Sequence, residues 1–254
     1  MASSTATATA TNNNTTTDAP VFVSKETLRR IISDIKDIRK NPLSEHGIYY
    51  EHDETDMLCG KAMIIGPKDT PYADGFYLFK LKFPTNYPHA PPKVTFCTND
   101  GVTRFNPNLY RCGKVCLSIL NTWQGDQWSG CQTLSSVLLA ICTVLNNEPL
   151  LNEPGFTRAS PDFNNYNEII KYKNIEVAIL GTLNDVKDDP THDFALFGDV
   201  MHEHFQKSKE HIRERVEKEM KDNIKLEEYI CNTSVYHLSL KINYKKLLSV
   251  LKSC

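Results

Sequence analysis

Residues 76–83 read Phe-Tyr-Leu-Phe-Lys-Leu-Lys-Phe, and they restrict the possible folds more than any other stretch. Phe79, Leu81 and Phe83 fall on one side of an extended chain, Lys80 and Lys82 on the other. Alternation with a period of two, charged on one side, is the signature of a half-buried antiparallel strand. Such a strand needs partners, and the flanking sequence supplies them. Residues 47–52 and 58–65 are strand-like and flank a polar turn at 53–56. Residues 66–75, from Gly66-Pro67 to Gly75, carry turn chemistry. Residues 87–92, Tyr-Pro-His-Ala-Pro-Pro, are too proline-rich for a sheet interior, and 93–97 form a last short strand.

Helices bracket this meander. Ser24 is a candidate N-cap, and Leu28, Ile31, Ile32, Ile35 and Ile38 follow at helical spacing until Asn41-Pro42. The opposite face carries Lys25, Arg29, Arg30, Lys36 and Arg39, which suits a solvated face or a basic docking surface equally. After Pro161, residues 166–183 place Ile169, Ile170, Val177 and Leu180 for a core-closing helix that Asp189-Pro190 breaks. Residues 194–224 form a charged amphipathic helix with Phe197, Met201, Phe205, Ile212, Val216 and Met220. Residues 235–243 alternate like a strand through Tyr236, Leu238, Leu240 and Ile242, and Leu247, Leu248 and Leu251 suggest a final helical turn. A helix, a four-stranded antiparallel meander, an irregular stretch and then helices define an α+β fold.

Composition narrows the class. The chain of 254 residues is 40 % hydrophobic, enough for a real core. Its formal net charge of −2 gives no pull toward nucleic acid or an anionic membrane, and no apolar run reaches membrane-spanning length. Residues 1–22 are a low-complexity tail expected to be disordered; the absence of Arg before Arg29 argues against a transit peptide. The eight cysteines form no Cys-x-x-Cys and no Cys/His set at zinc spacing, so reduced thiols are expected, with neither metal nor cofactor. No secretory signal is visible, and a cytoplasmic or nuclear location follows as the expectation.

The chemistry concentrates in residues 104–120, Arg-Phe-Asn-Pro-Asn-Leu-Tyr-Arg-Cys-Gly-Lys-Val-Cys-Leu-Ser-Ile-Leu. A carboxamide, Asn108, precedes a glycine turn at Gly113 and a cysteine, Cys116. A thiolate can hold an acyl group as a thioester, and an amide N–H can steady the oxyanion formed when it is attacked. Alone, Cys116 reads equally as a small buried hydrophobe, and Asn108 as a residue that pins its own loop.

The surroundings make the pattern specific. Gly66-Pro67, Thr70-Pro71-Tyr72, Gly75-Phe76, Tyr87-Pro88, Pro91-Pro92-Lys93-Val94, Asn106-Pro107-Asn108, Gly113-Lys114-Val115-Cys116-Leu117, Trp128-Ser129 and an apolar helix over 134–145 occur in order. Over residues 24–180 the chain resembles a ubiquitin-conjugating enzyme, closest to the extended Z-type group. The points of similarity to that group are Asn106 in place of the usual His, the longer loop 121–127, Asn152-Glu153-Pro154-Gly155-Phe156 and the long C-terminal extension. The resemblance implies a catalytic domain over 23–184 and a mainly helical extension over 185–254 that packs on it or docks a partner.

The resemblance also implies roles. Cys116 would accept ubiquitin, or a ubiquitin-like modifier, from an activating enzyme as a thioester and pass it to a substrate lysine with the help of a ubiquitin ligase. Asn108 would steady the oxyanion or its own loop, and Glu153 would accept the amine proton. Arg29, Arg30 and Lys36 on the first helix, His89, and Ser129, Gly130 and Cys131 in two loops would face partners. A non-catalytic ubiquitin-binding adaptor of the same fold is the alternative; such variants typically lack the cysteine. A cysteine protease would need a histidine signature that is absent. Tyr110 suits packing or contact with the acyl tail, Trp128 is expected to plug the core, and Gly113 argues against a helix joining Cys112 to Cys116.

Overall fold

The first helix, α1 (Lys25–Lys40), starts where the Ser24 hydroxyl accepts the Thr27 amide at 3.0 Å. In this computed structural model, residues 22–222 and 228–253 are described; the N-terminal tail, Ile224 and Cys254 lie outside them. Ile31, Ile35 and Ile38 of α1 are buried, but Ile32 is 40 % exposed and Leu28 only half-buried. A helix turns about 100° per residue, so Ile32 shares a face with Arg29 and Lys36 rather than with the core stripe.

Strands β1 (Ile48–His52), β2 (Cys59–Ile65), β3 (Phe76–Lys82) and β4 (Lys93–Phe96) form one antiparallel sheet in chain order. Phe79 pairs with Phe96 across β3 and β4, and their rings join Phe105 and Tyr77 in one aromatic face. The alternation expected of β3 holds from Phe79 onward, whereas Phe76 to Phe79 are buried on both sides. The second cover comes from the C-terminal part of the chain. The Phe76 ring meets His204 edge-on at 6.0 Å, and Asp193 pairs with Lys80 and, at 3.6 Å, with Lys61.

Helix α2 (Leu134–Val144) is capped by Thr133 and packs against α1 and β1. The helix expected over 166–183 begins earlier and is not uniform. It is α3 (Phe163–Lys173), a π-helical segment (Asn174–Gly181) and α4 (Thr182–Asp188). The wider turns begin at buried Asn174, whose Nδ2 donates to Ala73 O at 2.8 Å and whose Oδ1 accepts from Tyr77 at 2.7 Å. Lys173 reaches Asp100 at 2.9 Å and ties α3 to the segment that leads into residues 104–120.

A long helix, α5 (Gly198–Asp222), starts four residues later than the sequence pattern predicts, after a short 3₁₀ turn, Ala195–Phe197. Phe197, Met201, Phe205, Ile212 and Val216 all join the same hydrophobic core as the sheet. The strand expected over 235–243 is half right. Val235–His237 is a tight turn with Tyr236 at φ 59° and His237 at φ 51°. The strand is only β6 (Ser239–Ile242), paired with β5 (Tyr229–Asn232), which the sequence reading did not foresee. The last helix, α6 (Tyr244–Ser253), is longer than the single turn expected.

Candidate active site

Cys116 sits in a segment with little regular structure, so its position depends on turns and side-chain bonds. Gly113, at φ 85°, closes a turn in which its amide reaches Tyr110 O at 2.9 Å. A Cβ there would lie 2.9 Å from Thr95 Cγ2 and 3.0 Å from Phe96 O, so only glycine lets the turn dock on β4. Thr122 fixes the other side: its hydroxyl accepts the Leu117 amide at 2.9 Å and donates to Val115 O at 2.8 Å. Asn108 closes the ring. Its carbonyl accepts the Cys116 amide at 2.8 Å, and its Nδ2 donates to Cys116 O at 2.7 Å. Asn108 Oδ1 is buried with no hydrogen-bond partner.

Behind Asn108 lies a carboxamide network. Asn106, with no exposed surface, accepts the Asn108 amide at 2.9 Å and donates to Tyr72 OH at 2.7 Å and Val144 O at 2.8 Å. Asn152 donates to the same Val144 carbonyl at 3.0 Å and accepts from Asn146 at 2.8 Å. The segment holding Asn108 and the segment holding Glu153 are therefore fastened to one point. Asn106 fills a structural role.

Cys116 is only 2 % exposed. Cys112 and Cys131 are exposed, and all seven described cysteines are free thiols. Burial pushes the Cys97 and Cys142 thiols up. Burial and neighbouring carboxylates push Cys59 and Cys231 up to about 11.

Glu153 is half-buried, and its Oε2 accepts a hydrogen bond from the hydroxyl of Tyr236, a residue of the β5–β6 turn. The Tyr236 carbonyl accepts from Arg111 Nη2 at 2.6 Å. Its ring faces the Arg104 guanidinium at 4.7 Å, and that guanidinium lies 3.3 Å from the centre of the Tyr110 ring. Tyr110 therefore packs on a cation. Arg104 also donates to Asn106 O at 3.1 Å and Pro107 O at 2.6 Å. Sequence reasoning missed Arg104, Thr122, Asn152 and Tyr236. Arg104, Thr122 and Asn152 lay within motifs it had singled out and Tyr236 within an expected strand, but none of them carried a separate signal.

The residues expected at the partner surface divide. Arg29 and Lys36 are exposed on α1 with Ile32 between them. Arg30 is engaged: it pairs with Asp34 at 3.0 Å and donates to Gly130 O at 2.7 Å and to Gln132 O. This bond joins α1 to the loop holding Ser129, Gly130 and Cys131, all exposed. Trp128 is buried against Tyr87, and its Nε1 donates to Pro88 O at 2.8 Å, beside exposed His89. The helix and both loops thus form one continuous surface.

Among the described residues no set of His, Cys, Asp or Glu could hold a metal ion, and no helix is long and apolar enough to cross a membrane. The family model described as "Ubiquitin-conjugating enzyme" matches residues 30–177. The chain is 48 % identical over 159 residues to ubiquitin-conjugating enzyme E2 Z of Xenopus tropicalis, covering 61 % of this chain and 50 % of that one. It is 47 % identical over 157 residues to the protein of that name from Homo sapiens, covering 61 % and 44 %. It is 40 % identical over 142 residues to probable ubiquitin-conjugating enzyme E2 26 of Arabidopsis thaliana, covering 54 % and 25 %. The chain spans about half the length of the E2 Z relatives it matches.

Proposed function

The chain belongs to the ubiquitin-conjugating enzyme family, and from that premise we propose that Cys116 carries ubiquitin, or a ubiquitin-like modifier, as a thioester and delivers it to a lysine amine. The observation that carries this reading is the paired bonding of Asn108 to Cys116 on a network shared with the Glu153 segment. In the first step the Cys116 thiolate attacks the thioester carbonyl on the activating enzyme, and that enzyme's thiolate leaves. Thiol exchange is close to balanced in energy, so access governs this step. A buried Cys116 therefore has to be uncovered by local movement of its loops.

In the second step a lysine amine attacks the Cys116 thioester and the cysteine thiolate leaves. At an ordinary pKa of about 10.4, roughly one lysine in a few thousand is neutral at pH 7. Glu153 is the acceptor for the amine's proton and raises that fraction where it matters. The Asn108 Nδ2 has two hydrogens and commits one to Cys116 O; the second is the oxyanion donor. Loss of such a donor costs about 3 kcal/mol of transition-state stabilisation.

The continuous surface of α1 and the loops at His89 and 129–131 suits an activating enzyme and a ubiquitin ligase. Arg29 and Lys36 supply the charge, and Arg30 holds the loop in place. Attraction through these charges makes charging slow as salt rises. Ubiquitin is the favoured modifier.

The deciding experiment is incubation with activating enzyme, ATP and ubiquitin, followed by a non-reducing gel. The expected result is a reducible adduct, a reductant-resistant oxyester with Cys116→Ser, and none with Cys116→Ala. An undiminished thioester on Cys116→Ala overturns the assignment. The near-closure of Cys116 favours one rival, a ubiquitin-binding adaptor, for which no variant or wild type would form an adduct.

A further inference from the structure

The β5–β6 turn is held in an unfavourable shape. Tyr236 and His237 are consecutive non-glycine residues in the left-handed region, at φ 59° and 51°. Such conformations persist only where the surroundings over-determine them. Here the Asp162 carboxylate accepts the Ser234 amide at 3.0 Å and the Val235 amide at 2.8 Å. Thr233 brackets the turn through Leu238 O at 2.9 Å and Val235 O at 2.7 Å, and Arg111 takes the Tyr236 carbonyl.

These fastenings aim one side chain. The Tyr236 ring lies on Arg104 and 5.9 Å from the Tyr166 ring, and its hydroxyl meets Glu153 Oε2. Burial first, and then the hydrogen bond to Glu153, push the phenol far above its ordinary range, so it remains a donor throughout the neutral region. Arg104, Arg111, Tyr72, Tyr110 and Tyr166 are further titratable groups around the pair.

We propose that Tyr236 is a positioning residue for aminolysis: by holding Glu153 Oε2 it orients the carboxylate so that Oε1 receives the lysine proton. Among the described residues Oε1 carries no hydrogen bond to the protein. A carboxylate pinned at one oxygen has its other oxygen fixed in direction, and proton transfer is sensitive to displacements of about 1 Å. The extension after residue 185 then contributes to the second chemical step itself. This inference rests on the reading of Glu153 as proton acceptor.

The test is single-turnover discharge of a preformed ubiquitin thioester onto free lysine, so that charging does not enter. Wild type, Tyr236→Phe, Glu153→Ala and the double variant are compared from about pH 6.5 to about pH 9. Phenylalanine keeps the ring contacts with Arg104 and Tyr166 and removes only the hydroxyl; matching thermal melts establish that the turn is kept. Tyr236→Phe is expected to discharge roughly tenfold more slowly near pH 7, with the deficit shrinking as solvent takes over the proton at higher pH. In the Glu153→Ala background the same substitution is expected to have no further effect. An equal loss in both backgrounds, or a Tyr236→Phe rate equal to wild type beside an impaired Glu153→Ala, overturns the proposal alone. A Glu153→Ala rate equal to wild type at every pH overturns the acceptor reading and the proposal together.

Discussion

Asn108 grips Cys116 across its peptide: the Cys116 amide donates to Asn108 O at 2.8 Å, and Asn108 Nδ2 donates to Cys116 O at 2.7 Å. The carboxamide is thus a brace, and under the proposed function an oxyanion donor as well; the two roles separate energetically. Asn108→Ala loses one net hydrogen bond, about 1 kcal/mol of stability, while discharge onto lysine slows about a hundredfold. Asn106→Ala leaves the part-buried Asn108 amide without an acceptor and opens a hole at fully buried Asn106, costing about 2 kcal/mol of folding. Chemical denaturation beside single-turnover discharge checks both. Equal stability loss in the two variants would refute this division.

Thiol labelling should follow exposure and protonation. Cys112 and Cys131 are exposed, Cys116 is closed off, and Cys59 and Cys231 are held as thiols. Under brief iodoacetamide treatment near neutral pH, peptide mass spectrometry should find Cys112 and Cys131 modified first. Cys116 modified ahead of both would mean that the site opens more readily than its burial implies.

Acid should loosen the joint between Asp100 and α3. Burial works to raise the Asp100 carboxyl, but the Thr103 amide and Lys173 outweigh it and hold the carboxyl at about 2. A depressed folded-state value stabilises the fold above the ordinary 3.8 and loses that contribution as pH falls through about 2. The contribution is about 2 kcal/mol. Urea unfolding of wild type should weaken across this window, and Asp100→Asn should flatten the slope; an unchanged slope would remove Asp100 from the account.

The extension should be inseparable from the core. Ile212 has no exposed surface and joins the same cluster as the sheet, so Ile212→Ala should cost about 2–5 kcal/mol in chemical denaturation. Truncation after Leu183 should yield aggregated or unfolded protein, by gel filtration and circular dichroism. A soluble, cooperatively folding truncation would show that α5 is an accessory.

Periodicity carried the sheet and the helices. The alternation at 79–83 and the stripe at Ile31, Ile35 and Ile38 are local patterns that packing then obeyed. Cys116 and Asn108 were legible because their spacing and neighbours form a motif. The remainder depends on distant partners. Asn174 widens a helix because of Tyr77 and Ala73, about a hundred residues away, and nothing around Asn174 signals it. Tyr236 alternates with Leu238, Leu240 and Ile242 as a strand residue would, yet Asp162 and Arg111 turn the backbone aside there. Sequence patterns report which side chains prefer burial; they are silent on which buried polar groups find one another.

Asp193, paired with Lys61 and Lys80, and the buried Phe194 and Phe197 that follow it fix where α5 begins relative to the sheet. One residue inserted between Asp193 and Met201 would rotate the whole helix by about 100° about its axis. Met201, Phe205, Ile212 and Val216 would swing out together, and with them His204 from the face of Phe76. The loop at 123–127, beyond the Thr122 anchor, is exposed along its length and has no such phase to keep. Insertions and deletions should therefore accumulate in that loop, while the spacing from Asp193 to α5 stays locked like the teeth of a gear.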